Sequence, residues 1–241
     1  MKVLIAVIAY NEELNIQKTL QELIDQNTIS YDIVVIDNGS KDRTKVLAEE
    51  MGISVVSHCI NSGHSFGTVM TYFNYAHYHG YDVVVQFDGD GQHIAEELPK
   101  IIEPVINGYD YVIGSRFIEK KGFQSSGLRR FGIKLFSSIV SFLIGQKITD
   151  ITSGARAYSR KVIKTFAKHY QHEIFDTAQL LLVAYYSGAK IKECPIIMRD
   201  RLHGTSEYKP FFALGFIIKG LINIFGIRLQ KSNLRKNGTQ Y

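Results

Sequence analysis

The sequence predicts an α/β fold in which a doubly wound, mainly parallel sheet carries helices on both faces. Short unbroken apolar runs such as Val83–Val85 are typical of strands that are buried on both sides, as strands in parallel sheets are. Along the first half of the chain these runs alternate with stretches of helical periodicity, which is the pattern of βα units. The chain has 241 residues, 45% of them hydrophobic, so it is long enough to bury a full core.

Each element is predicted from a local pattern. Apolar or β-branched runs predict strands at Lys2–Ala9, Tyr31–Ile36, Ile53–Ser57, Val83–Val85, Tyr109–Gly114 and Lys190–Met198. Helical spacing of apolar residues predicts helices at Leu14–Ile24, Lys45–Met51, Ala95–Ile106, Phe131–Ile144 and Thr177–Ser187. A further helix is predicted to open at Asn61–Gly67 and to end at about His79. Asn11 is placed to cap the first helix.

An acidic turn follows the Val83–Val85 strand directly. Asp88, Asp90 and Gln92 alternate with glycines there, and ligands of open α/β sheets bind at the carboxyl ends of the strands. Three oxygen-bearing side chains at this spacing predict a site for a hard divalent cation that holds a polyphosphate. A plain acidic turn is the alternative, because Asp-Gly is a common turn dipeptide.

Other polar side chains are predicted at the same sheet edge. Asp37 follows the second strand, where a carboxylate commonly pairs with the ribose or base of a nucleotide; a turn that precedes a helix is the alternative. Arg116 follows the fifth strand, where a guanidinium can grip phosphate oxygens; a surface ion pair is the alternative. The Arg199–Ser206 segment could fold its arginines over a diphosphate.

The C-terminal part of the chain lacks the alternation of strands and helices and contains one long apolar stretch. Pro210–Arg228 is apolar but is interrupted by Lys219 and Asn223, so it falls short of the ~20 apolar residues of a spanning helix. We expect residues 209–241 to form an amphipathic helix with a basic tail on a membrane surface, beside a catalytic domain at 1–208. A helix docked on the core with a basic tail is the alternative.

Charge and cysteine content narrow the partners and the compartment. The net charge of +5 and the pI near 9.0 suit an anionic partner such as a nucleotide, a lipid phosphate or an acidic membrane. Nothing points to nucleic acid. Cys59 and Cys194 form no metal pattern and indicate a reducing compartment. Val3–Ile8 is too short for a secretory signal, so we expect a protein on the cytoplasmic face of the membrane.

The chain resembles the family 2 inverting glycosyltransferases of GT-A fold, and within them the dolichol-phosphate mannose synthase-like branch that acts on polyprenyl phosphates. The resemblance covers nearly the whole chain. It depends on six motifs in the expected order, which are Ile8–Glu12, Ile36–Thr44, Asp88–His93, Gly114–Arg116, Asp150–Tyr158 and Arg199–Ser206.

The resemblance implies roles for single residues. Tyr10, Glu12 and Asp37 would hold the base and ribose of a UDP- or GDP-sugar, and Arg201 would close over this donor. Asp88, Asp90 and Gln92 would bind Mg²⁺ or Mn²⁺ on the diphosphate, and Arg116 and Arg130 would meet an acceptor phosphate. A hydroxyl acceptor needs a general base, and Asp176 at a helix start is the candidate, with Glu173 behind it; a helix N-cap is the alternative for Asp176.

Three functions are compatible with these residues. The first is sugar transfer to a lipid-linked acceptor, polyprenyl phosphate, which is already ionised and needs no base. The second is transfer to a glycan hydroxyl in surface polysaccharide assembly, for which Asp176 would act as base. The third is a nucleotide-sugar-binding module without catalysis.

Overall fold

Seven strands form one mixed sheet in the order β3-β2-β1-β4-β6-β5-β7. The strands are β1 (Val3–Ala9), β2 (Asp32–Asp37), β3 (Ser54–Ser57), β4 (Val83–Asp88), β5 (Tyr111–Ser115), β6 (Arg156–Ser159) and β7 (Ile191–Pro195). The computed structural model describes residues 1–26, 28–62, 67–122, 127–169, 177–201, 203, 220–229 and 234. Of the six strand pairings, four are parallel, and the two that involve β6 are antiparallel, so the predicted mainly parallel α/β sheet is confirmed.

Helices cover both faces of the sheet. They are α1 (Ile16–Asp25), α2 (Thr44–Glu50), α3 (Thr68–Tyr78), α4 (Leu98–Ile106), α5 (Gly127–Ile144), α6 (Arg160–His169), α7 (Thr177–Tyr186) and α8 (220–229). A short 3₁₀ turn, Ala95–Glu97, precedes α4. Apolar residues of α1, α2 and α4 pack on one face, and those of α3 and α5 to α8 pack on the other. Two hydrophobic cores therefore hold the strand ends in fixed positions.

The central strands are apolar because both of their faces are covered. β1 lies between β2 and β4, and Leu4, Ile5 and Val7 in it are fully buried. Alternate residues of one strand therefore enter different cores: Leu4 belongs to one and Ile5 to the other. This double burial explains why the sequence shows an unbroken apolar run rather than an alternation.

One local prediction differs from the structure, and one strand has no counterpart among the predicted elements. Asn11 does not cap α1: it has a positive φ of 53°, and the helix begins later, after Asn15. The Asn11 side chain instead accepts a hydrogen bond from the Lys41 backbone N–H at 2.8 Å, which joins the turns after β1 and β2. The polar stretch before Ser159 contains β6, which inserts antiparallel between β4 and β5.

The described part of the C-terminal segment packs on the core through one side of α8. Ile224 and Ile227 are buried there, whereas Ile222 and Phe225 on the other side are exposed. The buried side of α8 agrees with the alternative of a helix docked on the core. The exposed apolar side agrees with an amphipathic helix on a surface. Residues 210–219 lie outside the described ranges. Within those ranges, no helix combines the length and the hydropathy that crossing a bilayer requires.

A pair of identical substitutions tests the docking of α8. A Cβ on Gly220 would lie 2.7 Å from the ring of Phe136, a buried residue of α5 that has little room to move. We expect Gly220→Ala to lower the free energy of unfolding by about 1–3 kcal/mol through overpacking. Gly226, in the same helix, has nothing within 4 Å of such a Cβ, so Gly226→Ala should be neutral or stabilising by up to about 1 kcal/mol. Urea unfolding followed by circular dichroism measures both. Equal effects would contradict the docked arrangement.

Candidate functional site

Three neighbouring strands bring predicted site residues to one edge of the sheet. In the register of β1, Ile8 lies opposite Asp88 on β4, and Ala9 lies opposite Asp37 on β2. Asp37 and Asp88 therefore flank the carboxyl end of β1, two strand spacings or about 10 Å apart. The turn that follows β1 carries Tyr10 and Glu12 into the space beside them.

Arg201 joins two of the predicted site carboxylates. Its Nη2 lies 3.0 Å from Glu12 Oε1 and 3.0 Å from Asp90 Oδ2, and its Nε lies 3.3 Å from the same Asp90 oxygen. Asp90 is buried, and its other oxygen accepts the Gln92 backbone N–H at 3.0 Å. One guanidinium thus neutralises a carboxylate from the first strand turn and one from the acidic turn.

Glu12 lies in the least solvated part of this cluster. Burial raises the pKa of its carboxyl, while the hydrogen bond from Asn15 and the charge of Arg201 act in the opposite direction. Asn15 Nδ2 donates to Glu12 Oε2 at 2.6 Å. The same amide group donates to the His203 backbone oxygen at 3.3 Å. Glu12 is therefore held at both oxygens, which fixes where Arg201 can bind.

The segment that carries Arg201 is tied to the acidic turn by its backbone. The Arg199 N–H donates to the Gln92 carbonyl at 3.0 Å, and Gln92 Nε2 donates to the Arg199 carbonyl at 3.4 Å. The Arg199 guanidinium forms an ion pair with Glu22 of α1 and donates to the His93 carbonyl at 3.2 Å. The predicted metal ligand Gln92 thus also positions the arginine segment.

The acidic turn fits a hard divalent cation whose remaining ligands come from a diphosphate and water. Asp88 and Asp90 supply carboxylate oxygens, and Gly91, with a φ of +77°, makes the tight turn between Asp90 and Gln92. The carboxylate of Asp90 already forms an ion pair with the guanidinium of Arg201, so this carboxylate is ionised and can bind a cation. Among the described residues, no group of three or more acidic, His or Cys side chains converges as a full metal cage. Mg²⁺ characteristically uses one or two carboxylates together with substrate phosphates, and the site offers that set.

A cavity of about 550 Å³ lies on the β2 side of the edge. Tyr10, Asp37, His58 and Asn61 are among its lining residues. Asp37 is buried, and its Oδ1 accepts the Ser40 backbone N–H at 3.1 Å. The volume is in the range of small-molecule and cofactor sites. The structure thus places Tyr10 and Asp37 together in a cavity large enough for a nucleoside.

His58, which lines this cavity, belongs to a hydrogen-bonded network around Asn38. Asn38 Oδ1 accepts from Ser62 Oγ at 2.8 Å and lies 3.0 Å from His58 Nδ1. His58 Nε2 lies 2.8 Å from Thr71 Oγ1. Burial lowers the pKa of His58, and the charge of Asp37 opposes this effect. The network fixes the β3 end against α3, so the cavity wall is rigid.

Arg116 and Arg130 lie on the other side of the acidic turn, and both contact one aromatic ring. The guanidinium carbon of Arg116 is 5.2 Å from the centroid of Phe117, and that of Arg130 is 5.5 Å from the same centroid. The two predicted acceptor-binding residues are therefore brought together.

The surroundings of Arg116 differ from the prediction of an open phosphate-gripping side chain or a surface ion pair. Arg116 is 4% exposed, and its Nε and Nη2 donate to the two carboxylate oxygens of Asp150 at 2.6 and 2.7 Å. Asp150 is fully buried. The physical reason is that the guanidinium matches the carboxylate in geometry, and that a buried arginine needs a charged partner, which Asp150 supplies with two parallel hydrogen bonds.

Two predicted residues lie outside the described part of the chain. They are Asp176, the candidate base, and Glu173 behind it. α7 begins directly after them at Thr177. The role of Asp176 stays a prediction.

Several residues of the site had no predicted role. His93 and Gly154 contact the Asp88 carboxylate, and Asp150 pairs with Arg116. His93 directly follows the acidic turn, and Asp150 and Gly154 lie in the polar stretch before β6, so their positions were visible in the motifs. The contacts of Asp150 and Gly154 were not, because Arg116 and Asp88 lie more than 30 residues earlier in the chain.

Comparisons with known proteins show the family of the chain. The sequence matches the family described as Glycosyl transferase family 2 over residues 4–166. It is 32% identical over 209 residues to UDP-N-acetylglucosamine--dolichyl-phosphate N-acetylglucosaminyltransferase of Methanococcus voltae, with 78% of this chain and 82% of that protein covered. It is 29% identical over 252 residues to undecaprenyl-phosphate mannosyltransferase of Micrococcus luteus, with 98% of each covered.

A solved structure confirms the fold. Glucosyl-3-phosphoglycerate synthase from Mycobacterium tuberculosis, in complex with Mn²⁺, UDP-glucose and phosphoglyceric acid, superimposes with a TM-score of 0.67. The match covers 94% of this chain and 79% of that chain at 18% identity. At this identity the likeness concerns the arrangement of the backbone.

Proposed function

Since the chain belongs to glycosyl transferase family 2, and is thus a glycosyltransferase, we propose that it moves a sugar from a nucleoside diphosphate sugar to polyprenyl phosphate. The donor is a UDP- or GDP-sugar, and the transfer inverts the anomeric configuration. The reaction takes place at the cytoplasmic face of the membrane. Membership of the family sets aside the alternative of a binding module without catalysis.

The observation that carries the proposal is the grouping of donor-binding chemistry at one sheet edge. Tyr10 and Asp37 line a cavity of nucleoside size, and Asp88 and Asp90 stand beside it where a diphosphate would follow the ribose. Arg201 lies on the carboxylate of Asp90 and can turn its charge to the diphosphate oxygens. The cavity, the acidic turn and Arg201 would thus meet the nucleoside and the diphosphate of the donor in the order in which these groups are linked.

Asp88, Asp90 and Gln92 would hold Mg²⁺ or Mn²⁺. When bound, such a cation neutralises the charge that develops on the departing diphosphate. The protein's own groups orient the donor: Asp37 takes the ribose or base, and the backbone link from Gln92 to Arg199 keeps the arginine segment next to the acidic turn. An acceptor then attacks the anomeric carbon from the face opposite the diphosphate, which inverts the configuration.

The acceptor side has features that suit a lipid phosphate. Arg130 is half-buried and lies beside the ring of Phe117, which Arg116 also contacts. Positive charge and an aromatic ring therefore lie together at the carboxyl end of β5. The names of the relatives in Methanococcus and Micrococcus include dolichyl phosphate and undecaprenyl phosphate, respectively. A phosphate acceptor is already ionised at neutral pH, so the transfer requires no general base.

Exposed aromatic residues on two packed helices support a membrane surface. Phe142 on α5 is 83% exposed and Phe225 on α8 is 63% exposed, and these helices touch where Gly220 meets Phe136. Lys134 and Arg228, also exposed, add positive charge on the same two helices. Apolar side chains with basic neighbours favour an interface that contains anionic lipid. This surface would keep the site beside a lipid-linked acceptor.

Asp90→Asn tests the donor site. Removing the charge of Asp90 deprives the cation of a ligand and Arg201 of a partner, so we expect donor hydrolysis and sugar transfer to fall on the order of 100-fold or more. The measurement is a panel of UDP- and GDP-sugars with Mn²⁺, with and without a polyprenyl phosphate. Asp25→Asn, an exposed carboxylate at the end of α1, is the matched control and should keep wild-type activity. A wild type that is silent across the panel would refute the proposal.

Substitution of the exposed aromatics tests the membrane surface. Losing one phenylalanine from the interface should cost about 1.5–3 kcal/mol, so Phe142→Ser with Phe225→Ser should weaken binding to phosphatidylglycerol vesicles by at least about 100-fold. Vesicle co-sedimentation measures this binding. Tyr78→Ser removes an equally exposed aromatic from α3 and serves as the control. Unchanged sedimentation of the double variant would contradict the proposed surface.

Transfer to a glycan hydroxyl is a second candidate. It is favoured by the pairing of Arg116 with Asp150, which engages a side chain that a phosphate acceptor would use. A hydroxyl needs a general base and a phosphate does not.

Asp176→Asn distinguishes the two acceptors. With a phosphate acceptor we expect turnover within about threefold of the wild type, because no proton has to be removed. The measurement is single-turnover transfer to polyprenyl phosphate, with Asp25→Asn again as the control. The same assay with a glycan acceptor runs in parallel: a wild type that transfers only to the glycan, together with an Asp176→Asn variant that binds donor but transfers nothing, would favour the hydroxyl acceptor.

A further inference from the structure

His93 contacts the first aspartate of the acidic turn at two points. Its Nδ1 accepts the Asp88 backbone N–H at 3.2 Å, and its Nε2 lies 3.4 Å from Asp88 Oδ2. The imidazole is 3% exposed and packs edge-on against the Phe87 ring, with 4.9 Å between centroids. Both nitrogens of a buried histidine thus face one residue.

The hydrogen bond at Nδ1 decides which nitrogen carries the proton. Because Nδ1 accepts the Asp88 N–H, the proton of the neutral imidazole is on Nε2. Nε2 has no hydrogen-bond partner of good geometry among the described residues, although Asp88 Oδ2 is nearby. A buried N–H without an acceptor is costly, so it favours a small rotation of the Asp88 carboxylate that completes the bond.

Gly154 closes the opposite side of the same carboxylate. A Cβ at Gly154 would overlap Asp88 Oδ2, and it would also lie 2.9 Å from Cγ and 3.0 Å from Oδ1. The Asp88 carboxylate therefore lies between the His93 Nε2–H on one side and Gly154 on the other, where only a residue without a Cβ leaves room for it. Its side chain remains about one third exposed on the side that faces the cavity edge.

We propose that His93 and Gly154 are positioning residues that aim the Asp88 carboxylate at the divalent cation of the donor complex. This inference rests on the proposed function. Neither residue touches the donor. His93 donates from Nε2 to one carboxylate oxygen and leaves the other oxygen for the cation, and Gly154, which has no Cβ, leaves the carboxylate room to keep this orientation. Partners of this kind, hydrogen-bonded to a metal ligand, change metal affinity typically by 10–100-fold.

Mn²⁺ binding followed by electron paramagnetic resonance tests the inference without turnover. His93→Phe keeps the ring that packs on Phe87 but removes the Nε2 donor, and we expect it to weaken Mn²⁺ binding about 10–100-fold, both for the metal alone and with UDP or GDP. His93→Gln keeps an N–H near the Nε2 position and should stay within about threefold of the wild type. His79→Gln, an exposed histidine beyond the opposite end of β4, is the control.

Gly154→Ala tests the same inference where His93→Phe does not fold. Gly154 has no positive φ, and the atoms that a Cβ would overlap belong to the movable end of the Asp88 side chain. The variant should therefore fold as the wild type does in EDTA, by thermal unfolding, yet bind Mn²⁺ about 10–100-fold more weakly.

The Mn²⁺ affinities of the variants decide whether His93 and Gly154 position Asp88. Wild-type Mn²⁺ affinity in folded His93→Phe or in Gly154→Ala would overturn the inference, and so would equal losses in His93→Phe and His93→Gln. These results would leave the proposed function intact, because the wild type would still bind the metal. A wild type without Mn²⁺ affinity, alone and with either nucleotide, would instead overturn the proposed metal dependence and this inference with it.

Discussion

The antiparallel insertion of β6 between β4 and β5 is the constraint on which both halves of the site depend. The loop that leads into β6 crosses the carboxyl ends of these strands, and it carries Asp150 to Arg116 and Gly154 to Asp88. Glu193 of β7 anchors the loop by accepting the backbone N–H groups of Thr149 and Asp150 at 2.8 Å. Removing one partner of a buried ion pair such as Arg116–Asp150 typically costs about 3–5 kcal/mol, so this loop is held firmly.

Charge balance links the donor side to the closing segment. Glu12, Asp88 and Asp90 crowd negative charge at one edge of the sheet, and Arg201 supplies the nearest positive charge to two of them. A cation that takes oxygens of Asp90 competes with this arginine, and a diphosphate offers the arginine new oxygens. The same exchange of partners therefore favours binding of cation and diphosphate together over binding of either one alone. The tie from Arg199 to Glu22 and Gln92 keeps Arg201 within reach of both arrangements.

The sequence predicted the parts of the site that depend on local pattern. β1 and β4 were visible as apolar runs, and parallel strands meet with their carboxyl ends at one edge, so Asp37, Asp88 and Glu12 could be placed together. β6 was missed because Arg156–Ser159 is short and contains a charged residue, which only the buried position between two strands explains. The fate of Arg116 depended on Asp150, 34 residues later, and no local pattern records such a pairing. Asn11 failed as a cap because its side chain serves the turn after β2 instead.

A further positive charge, that of Arg156, lies in the core near the acidic edge of the sheet. Arg156 is fully buried on β6, opposite Gln86 of β4, and it takes part in none of the ion pairs among the described residues. Its Nη2 donates to the Ile151 carbonyl at 2.7 Å, and its guanidinium carbon lies 6.0 Å from the centroid of Tyr111. Burial raises the pKa of Tyr111 and Tyr158 far above the usual range, so neither tyrosine supplies a negative charge.

A positive charge without a paired carboxylate acts over a longer distance in the core than it would in water, because the interior screens it weakly. Gln86 precedes Asp88 by two residues on β4, which places the backbone opposite Arg156 about 7 Å from that of Asp88. Arg156 thus places a fixed positive charge on the strand beside β4, while Arg201 contacts Glu12 and Asp90 directly. One guanidinium is therefore fixed in the sheet near the acidic edge, and the other lies on the carboxylates themselves, on a segment that can exchange partners.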